Sequence, residues 1–348
     1  MVNKQADELR LLVLAILRAA GASESNAADV TEHLVMADLS GVTTHGVTQL
    51  PGYVEAIQTG DLLPRAQPEI LKDREGGALI TGNWTFGHAA AKFAAEVAIA
   101  KARSGGLSLV SIVQSHHIGR LGHYAEMAAS EGLISLISAG GFGAIEPQTV
   151  PYGSRTPLLH TNPIAMGFPL PDADPMMFDF ATTTISGVKV VNANRRGEDL
   201  PPGAIVDSQG RPTTDARKFF EGGSHVPFGA HKGYALMMAV ELLGRIFSGA
   251  DDYADENRGG AVMRHQGITM LMVDAGLFRD MDRYLTGASE IVAKVHAAEP
   301  APGFDEVLSP GDMESRSRIH RKRDGIPLHE DVWQSLVGAA ESLGVPVG

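Results

Sequence analysis

The segment 115–124 reads S-H-H-I-G-R-L-G-H-Y and sets His116, His117, His123 and Arg120 around two glycines that free the backbone. Imidazole titrates near neutral pH, so such a cluster can move protons, ligate a metal or, with the guanidinium, hold an anion. It follows an apolar run, 107–113, that reads as a buried strand, and polar groups mounted where a buried strand ends are well placed to do chemistry. A metal-dependent hydrolase would use His116, His117 and His123 with Glu126. Adjacent histidines weaken that reading, because neighbouring side chains on extended backbone point to opposite faces. A surface loop merely rich in histidine is the bland alternative.

Other stretches carry reactive groups. Thr44, His45 and Gln49 sit beside a glycine on the loop between Gly41 and Pro51. His160, Thr161 and Asn162 precede Pro163, and Asp179 stands alone between Phe178 and Phe180, followed by Lys189. A carboxylate among aromatics must be hydrogen-bonded or exposed. His231 and Lys232 open the run 235–247, whose only charges are Glu241 and Arg245, so a helix buried on nearly all sides is expected there. At its positive end the pair suits a phosphate or carboxylate, or else it marks the solvent boundary.

These groups need elements to hold them. Periodicity and stop signals predict helices over 6–20, 26–39, 88–103, 122–130, 285–298 and 330–343, and strands over 78–80, 107–113, 133–139 and 268–273. The order strand, loop, helix, strand after residue 107 invites a dinucleotide fold, but Gly141-Phe142-Gly143 has Glu146 at the third glycine position and Pro147 after it. The Rossmann fingerprint is therefore absent, as are a P-loop, a G-x-S-x-G elbow and an H-E-x-x-H helix. Dense proline and glycine from Pro147 to Pro175 favour strands and loops over helices.

A chain of 348 residues exceeds the usual size of one core, which predicts roughly two domains. A net charge of -12 repels nucleic acid, and the basic stretch Arg316, Arg318, Arg321, Lys322 and Arg323 reads as a solvated helix face. With no cysteine, disulfides and thiolate chemistry are excluded, which is compatible with a reducing cytoplasm. The apolar run 11–17 follows Asp7 and Glu8 and is short for a signal core, so it reads as an amphipathic helix. No stretch is apolar enough to span a membrane.

Several motifs in order resemble one family: Thr44-His45-Gly46 through Leu50-Pro51, His117-Ile118-Gly119, Thr161-Asn162-Pro163, Asp179-Phe180-Ala181-Thr182, Pro212-Thr213-Thr214-Asp215, His231-Lys232-Gly233-Tyr234 and Pro310-Gly311. Over nearly the whole chain they resemble the malate/L-lactate dehydrogenase family, the H-I-G-R-L-G loop being most similar to its hydroxycarboxylate dehydrogenase branch. The resemblance implies an α/β, non-Rossmann fold with a largely antiparallel sheet in the cofactor domain and helical N- and C-terminal segments. It implies a discontinuous helical unit, 1–75 plus 300–348, on the substrate and dimer side, and a nicotinamide-binding and central sheet region over 76–299. NAD or NADP as hydride carrier, a 2-oxo or 2-hydroxy acid or a related cyclic imino acid as substrate, and a cytoplasmic homodimer follow from the same likeness.

Residue by residue, the resemblance makes His45 and His117 the candidates for proton transfer, with His45 preferred and Thr44 and Lys189 setting its orientation and pKa. Thr161 and Asn162, with Gln49, match substrate contacts. His117, Ile118, Gly119, Arg120, Leu121, Asp179, Phe180, Ala181, His231, Lys232, Pro310 and Gly311 match cofactor contacts, and no metal is implied. Many members carry arginine where this chain has Gln49, so Arg120 is expected to supply the missing charge for a substrate carboxylate. A non-catalytic member of the family is the alternative that Gln49 leaves open. Thr44 in place of serine is a mild departure, and His160 in place of the usual glycine is expected to narrow the pocket.

Overall fold

The computed structural model describes residues 1–171 and 174–347; Asp172, Ala173 and Gly348, the last of which ends the expected second helical stretch, lie outside the described residues. Seven strands form the central sheet: β1 (Glu69–Arg74), β2 (Gly77–Thr81), β3 (Leu107–Val113), β4 (Leu133–Gly140), β5 (Ile164–Phe168), β6 (Met176–Phe180) and β7 (Gly267–Asp274). Their spatial order is β1-β2-β3-β7-β4-β5-β6. β2 and β3 run parallel, and every other neighbouring pair is antiparallel. A dinucleotide fold would pair β3 and β4 directly. Here β7 lies between them, with Met270 opposite Val110 on one side and Ile137 on the other.

The helices that matter to the site are α1 (Ala6–Ala19), α2 (Glu24–Leu39), α3 (Leu50–Thr59), α4 (Gly87–Gly105), α5 (Leu121–Ser130), α6 (Gly187–Arg196), α7 (His231–Glu241), α8 (Met281–His296), α9 (Asp312–Asp324) and α10 (Glu330–Ser342). Alanine favours helix and is small, so α4 lies close on the sheet, with Ala90, Ala94, Ala98 and Ala102 fully buried against Val110, Ile112 and Ile268. A second core joins both ends of the chain: Leu9, Val13 and Ile16 of α1, Leu34 and Val35 of α2 and Tyr53 of α3 pack with Leu336 and Ala340 of α10. Residues Val2–Lys4 pair antiparallel with Ile326–Leu328 over the same core. The stretch Glu69–Arg74, expected with the helical unit, is instead the edge strand β1 of the sheet.

Two expectations are corrected. The helix over 235–247 is not buried: α7 widens into a π-helical turn at Leu242–Ile246, and Leu242, Leu243, Ile246 and Phe247 are exposed. The basic stretch is not a freely solvated face either. Arg318 is buried and donates to Glu126 Oε1 (2.9 Å), Asp174 Oδ2 (2.8 Å) and Ser40 Oγ (3.1 Å), while Arg321 donates to the Asp38 carbonyl. Glu126 also takes two hydrogen bonds, at 3.0 and 3.2 Å, from the guanidinium of Arg120. Two carboxylates, Glu126 and Asp174, thus balance two buried cations; Glu126 joins α5 to α9, and Arg318 reaches the end of α2 through Ser40.

Removing Glu126 strands the buried Arg120 charge, whose only ion-pair partner among the described residues it is, while Arg318 keeps Asp174. Glu126→Ala is expected to destabilise the fold by about 3 to 5 kcal/mol, read as a lower midpoint in denaturant unfolding; an unchanged midpoint would contradict this account of the network.

Candidate active site

After α2 the chain makes two single turns of 3-10 helix, Thr43–His45 and Val47–Gln49. Asp38 Oδ2 accepts from the Val47 amide at 2.8 Å, and the Gln49 side-chain amide donates to the Thr44 carbonyl at 2.7 Å. A Cβ on Gly46 would lie 2.2 Å from the Asp38 carboxyl, so glycine is what lets this loop close onto α2. The result presents His45, with Thr44 Oγ1 3.0 Å from its Nδ1. A hydroxyl can donate to or accept from that nitrogen, so either neutral tautomer is held and Nε2 is left for a ligand.

The segment after β3 supplies the adjoining wall. Gly87 opens α4 directly against it, where a Cβ would sit 2.0 Å from the His116 carbonyl oxygen. His117 Nδ1 lies 2.7 Å from the Tyr53 hydroxyl. The rings of His45 and His117 are nearly parallel, at 18° with centroids 5.7 Å apart. They border a cavity of about 490 Å³ walled also by Phe142, His160, Thr161, Phe180 and Lys189. Asp179 joins them from β6, its Oδ2 accepting from the Gly122 amide at 2.8 Å.

Burial lowers the pKa of His45, with the Asp179 carboxyl pulling it back up and Arg120 pushing it further down. Burial, followed by the neighbouring imidazoles His45, His88 and His116, holds His117 well below the ordinary value. Burial raises Asp179, opposed by the Gly122 amide, His45 and Arg120. Both histidines are neutral at pH 7 and can accept a proton, and His45 has a carboxyl beside it to stabilise the charged form.

The structure brings Thr44, His45, Gln49, His117, Thr161 and Lys189 to one cavity, together with Gly119 to Leu121 and Asp179 to Ala181. Four expectations need correction. The Arg120 guanidinium is committed to Glu126 and the residue is 1% exposed, so it cannot also hold a substrate carboxylate. Asn162 is fully buried, its amide spent on Glu241 Oε2 at 2.9 Å and the Met237 carbonyl at 3.3 Å. The Ile118 side chain belongs to the sheet core. Lys189 is exposed at the cavity and is not among the charges acting on His45, which are those of Asp179 and Arg120.

His231, Lys232, Pro310 and Gly311 lie outside this cavity. His231 is near Tyr152 on a second cavity of about 630 Å³, and the Pro310 carbonyl accepts from the Met177 amide beside β6. The His116, His117 and His123 cluster is not a metal site: among the described residues no three His, Cys, Asp or Glu side chains are grouped to hold an ion. His123 instead packs 4.6 Å from His33, whose Nε2 accepts the Arg120 amide at 2.8 Å and so fixes the start of α5. The wall also holds residues that the sequence does not single out, among them Tyr53, Ser186, Val262, Met263 and Glu314. Tyr53 stands four residues after Gln49, a spacing that places both on one helix face and is the signal that could reveal it; Glu314 of α9 carries no such signal.

A non-Rossmann, largely antiparallel sheet carrying a largely buried pair of imidazoles beside a small cavity defines the class as an α/β protein with a candidate small-ligand site. The chain belongs to the malate/L-lactate dehydrogenase family, whose sequence profile matches residues 4–337. It is 34% identical to an L-lactate dehydrogenase of Cupriavidus necator over 97% of each chain. Identity is also 34% with an L-sulfolactate dehydrogenase of Methanothermobacter thermautotrophicus, over 96% of this chain and 95% of that one. The solved structure of a putative malate/lactate dehydrogenase from E. coli superposes with a TM-score of 0.92 at 31% identity, covering 99% of this chain and 96% of that one.

Asp38, which holds the His45 loop, titrates with the fold. Burial pushes its carboxyl up to about 7 against the pull of the Val47 amide and Arg321. A folded-state value above the unfolded one means that stability present in acid is lost as pH rises, here between about pH 4 and pH 7. Asp38→Asn removes the titration. Relative to the wild type it is expected to gain on the order of 3 kcal/mol between pH 5 and pH 8 in denaturant unfolding; an equal difference at both pH values would contradict the assignment.

Proposed function

We propose that this protein is an NAD(P)-dependent oxidoreductase that interconverts 2-hydroxy acids and 2-oxo acids, with His45 as the proton-transfer residue. The observation that carries the reading is the adjacent, nearly parallel pair His45 and His117 bordering one cavity sized for a small acid beside a planar ring. The walls fit a nicotinamide. Phe180, 40% exposed and edge-on to Phe228 at 5.6 Å, offers an apolar surface, and Thr161, Ser186 and the backbone of the 119–121 segment offer polar partners for a carboxamide. Such a cofactor supplies the hydride acceptor for carbon 2 of a hydroxy acid, or the hydride for a 2-oxo acid.

The chain's own residues do the rest. His45 Nε2 takes the hydroxyl proton during oxidation and returns it to the carbonyl oxygen during reduction. Thr44 follows the change of tautomer by rotating its hydroxyl, and Asp179 stabilises the imidazolium. His117, fixed through Nδ1 by Tyr53, orients the reacting oxygen. Lys189 holds the substrate carboxylate, while Gln49 serves the loop rather than the ligand. His231, Lys232, Pro310 and Gly311, outside the cavity, hold the rest of the dinucleotide. Residues 1–75 without β1, together with the C-terminal stretch from 300, form the substrate-side unit. The exposed strip Leu242, Leu243, Ile246 and Phe247 supports a homodimer, and the absence of cysteine supports a cytoplasmic location.

The test follows NADH and NADPH absorbance with pyruvate, oxaloacetate, sulfopyruvate and Δ1-piperideine-2-carboxylate. Oxidation of one dinucleotide by at least one acid is expected, with His45→Gln lowering kcat by roughly 10²- to 10⁴-fold. Inertness towards every acid, or full kcat in His45→Gln, would overturn the reading.

A further inference from the structure

The charges around the cavity restrict which acid it can take. Four formally charged side chains reach its wall: Arg120, Asp179, Lys189 and Glu314. Arg120 is neutralised by the two hydrogen bonds to Glu126. Asp179 and Glu314 are acids and repel anions. Lys189 has no ion-pair partner among the described residues, and it is exposed at the wall. The cavity therefore offers one uncompensated cation, enough for one carboxylate. A second anionic group would meet Gln49, whose amide is already donated to the Thr44 carbonyl.

At another part of the wall the lining is apolar and aromatic. Phe142, Val262 and Met263 meet there with His160, whose ring lies 6.2 Å from that of Phe142. The pieces brace one another: the Gly143 amide donates to the Val262 carbonyl at 3.0 Å, and a Cβ on Gly143 would sit 2.8 Å from the His160 ring. Burial lowers the pKa of His160 to about 4, so at pH 7 its ring is a neutral planar surface and not a cation. A buried second carboxylate beside such a wall would lose its hydration with nothing in exchange, whereas an apolar or aromatic side chain would gain by burial there.

We propose that the substrate is a monocarboxylic 2-oxo or 2-hydroxy acid with an apolar or aromatic side chain, held by Lys189 at its carboxylate and by the Phe142–His160 wall at its side chain, with dicarboxylates and sulfonates rejected. The proposal rests on the oxidoreductase reading above and names the substrate class of the same site. His160 and Gln49 are then its specificity-determining residues, one by adding a wall and the other by withholding a charge.

The experiment compares kcat/KM for phenylpyruvate and 4-methyl-2-oxopentanoate with that for oxaloacetate and sulfopyruvate, using the better of NADH and NADPH. The wild type is expected to favour the apolar acids by about tenfold or more. Gln49→Arg is expected to move the ratio towards oxaloacetate by about tenfold, through KM more than kcat. His160→Gly is expected to lower the rate with phenylpyruvate relative to pyruvate. Since the wild-type ratio is itself decisive, the proposal does not depend on either variant folding. Preference of the wild type for oxaloacetate or sulfopyruvate would overturn the proposal while leaving the oxidoreductase reading intact. No turnover of any acid would overturn that reading and the substrate class with it.

Discussion

Desolvation of imidazole at the seam between two hydrophobic cores is the constraint on which the site depends. His45 enters from the helical core, His117 from the end of a central strand, and both lose most of their water where the two cores meet. Burial keeps each ring uncharged at neutral pH, so each can receive a proton rather than already holding one. The Asp179 carboxyl opposes this effect at His45 alone. That asymmetry separates the two rings chemically: one is poised to become charged, and the other, fixed by Tyr53, is not.

Keeping the seam closed requires contacts from distant parts of the chain. Arg120 follows the strand that delivers His117, and its charge is cancelled by Glu126, which also anchors Arg318 near the C-terminus. Asp38 holds the His45 loop from below through the Val47 amide, and Gly46 lets the two approach. The same commitments that order the site leave Lys189 as its one uncompensated cation among the described residues. A guanidinium that braces the fold is no longer available to a substrate, which is why the geometry favours a singly charged acid.

Much of the framework was legible in the residues. The strand Leu107–Val113 is found at its expected bounds because a short, largely apolar run rich in β-branched residues, directly after Gly105-Gly106, admits few alternatives. The failed glycine fingerprint excluded a Rossmann unit and the family resemblance implied a largely antiparallel sheet, but the insertion of β7 between β3 and β4 had no local signal. Side-chain partnerships were not legible. Arg120 looked free because Glu126 lies one helical turn and a half away, and pairing depends on how the chain enters α5. The run 235–247 has an apolar pattern all round, and composition alone does not say which of its faces the rest of the chain covers. Likeness of motif puts Asp179 with the cofactor, whereas its neighbours Gly122 and His45 come from segments that only the tertiary fold brings together.

The central claim is that His45 transfers the proton and Asp179 sets its affinity. It is tested most directly by the pH dependence of kcat/KM for hydroxy-acid oxidation in the wild type and in Asp179→Asn. Oxidation needs neutral His45, so the rate rises with pH through the apparent value of the coupled pair. Because the Asp179 carboxyl raises the His45 value, its loss is predicted to move the acid limb to lower pH. An acid limb that stays in place, or moves to higher pH, would contradict the account.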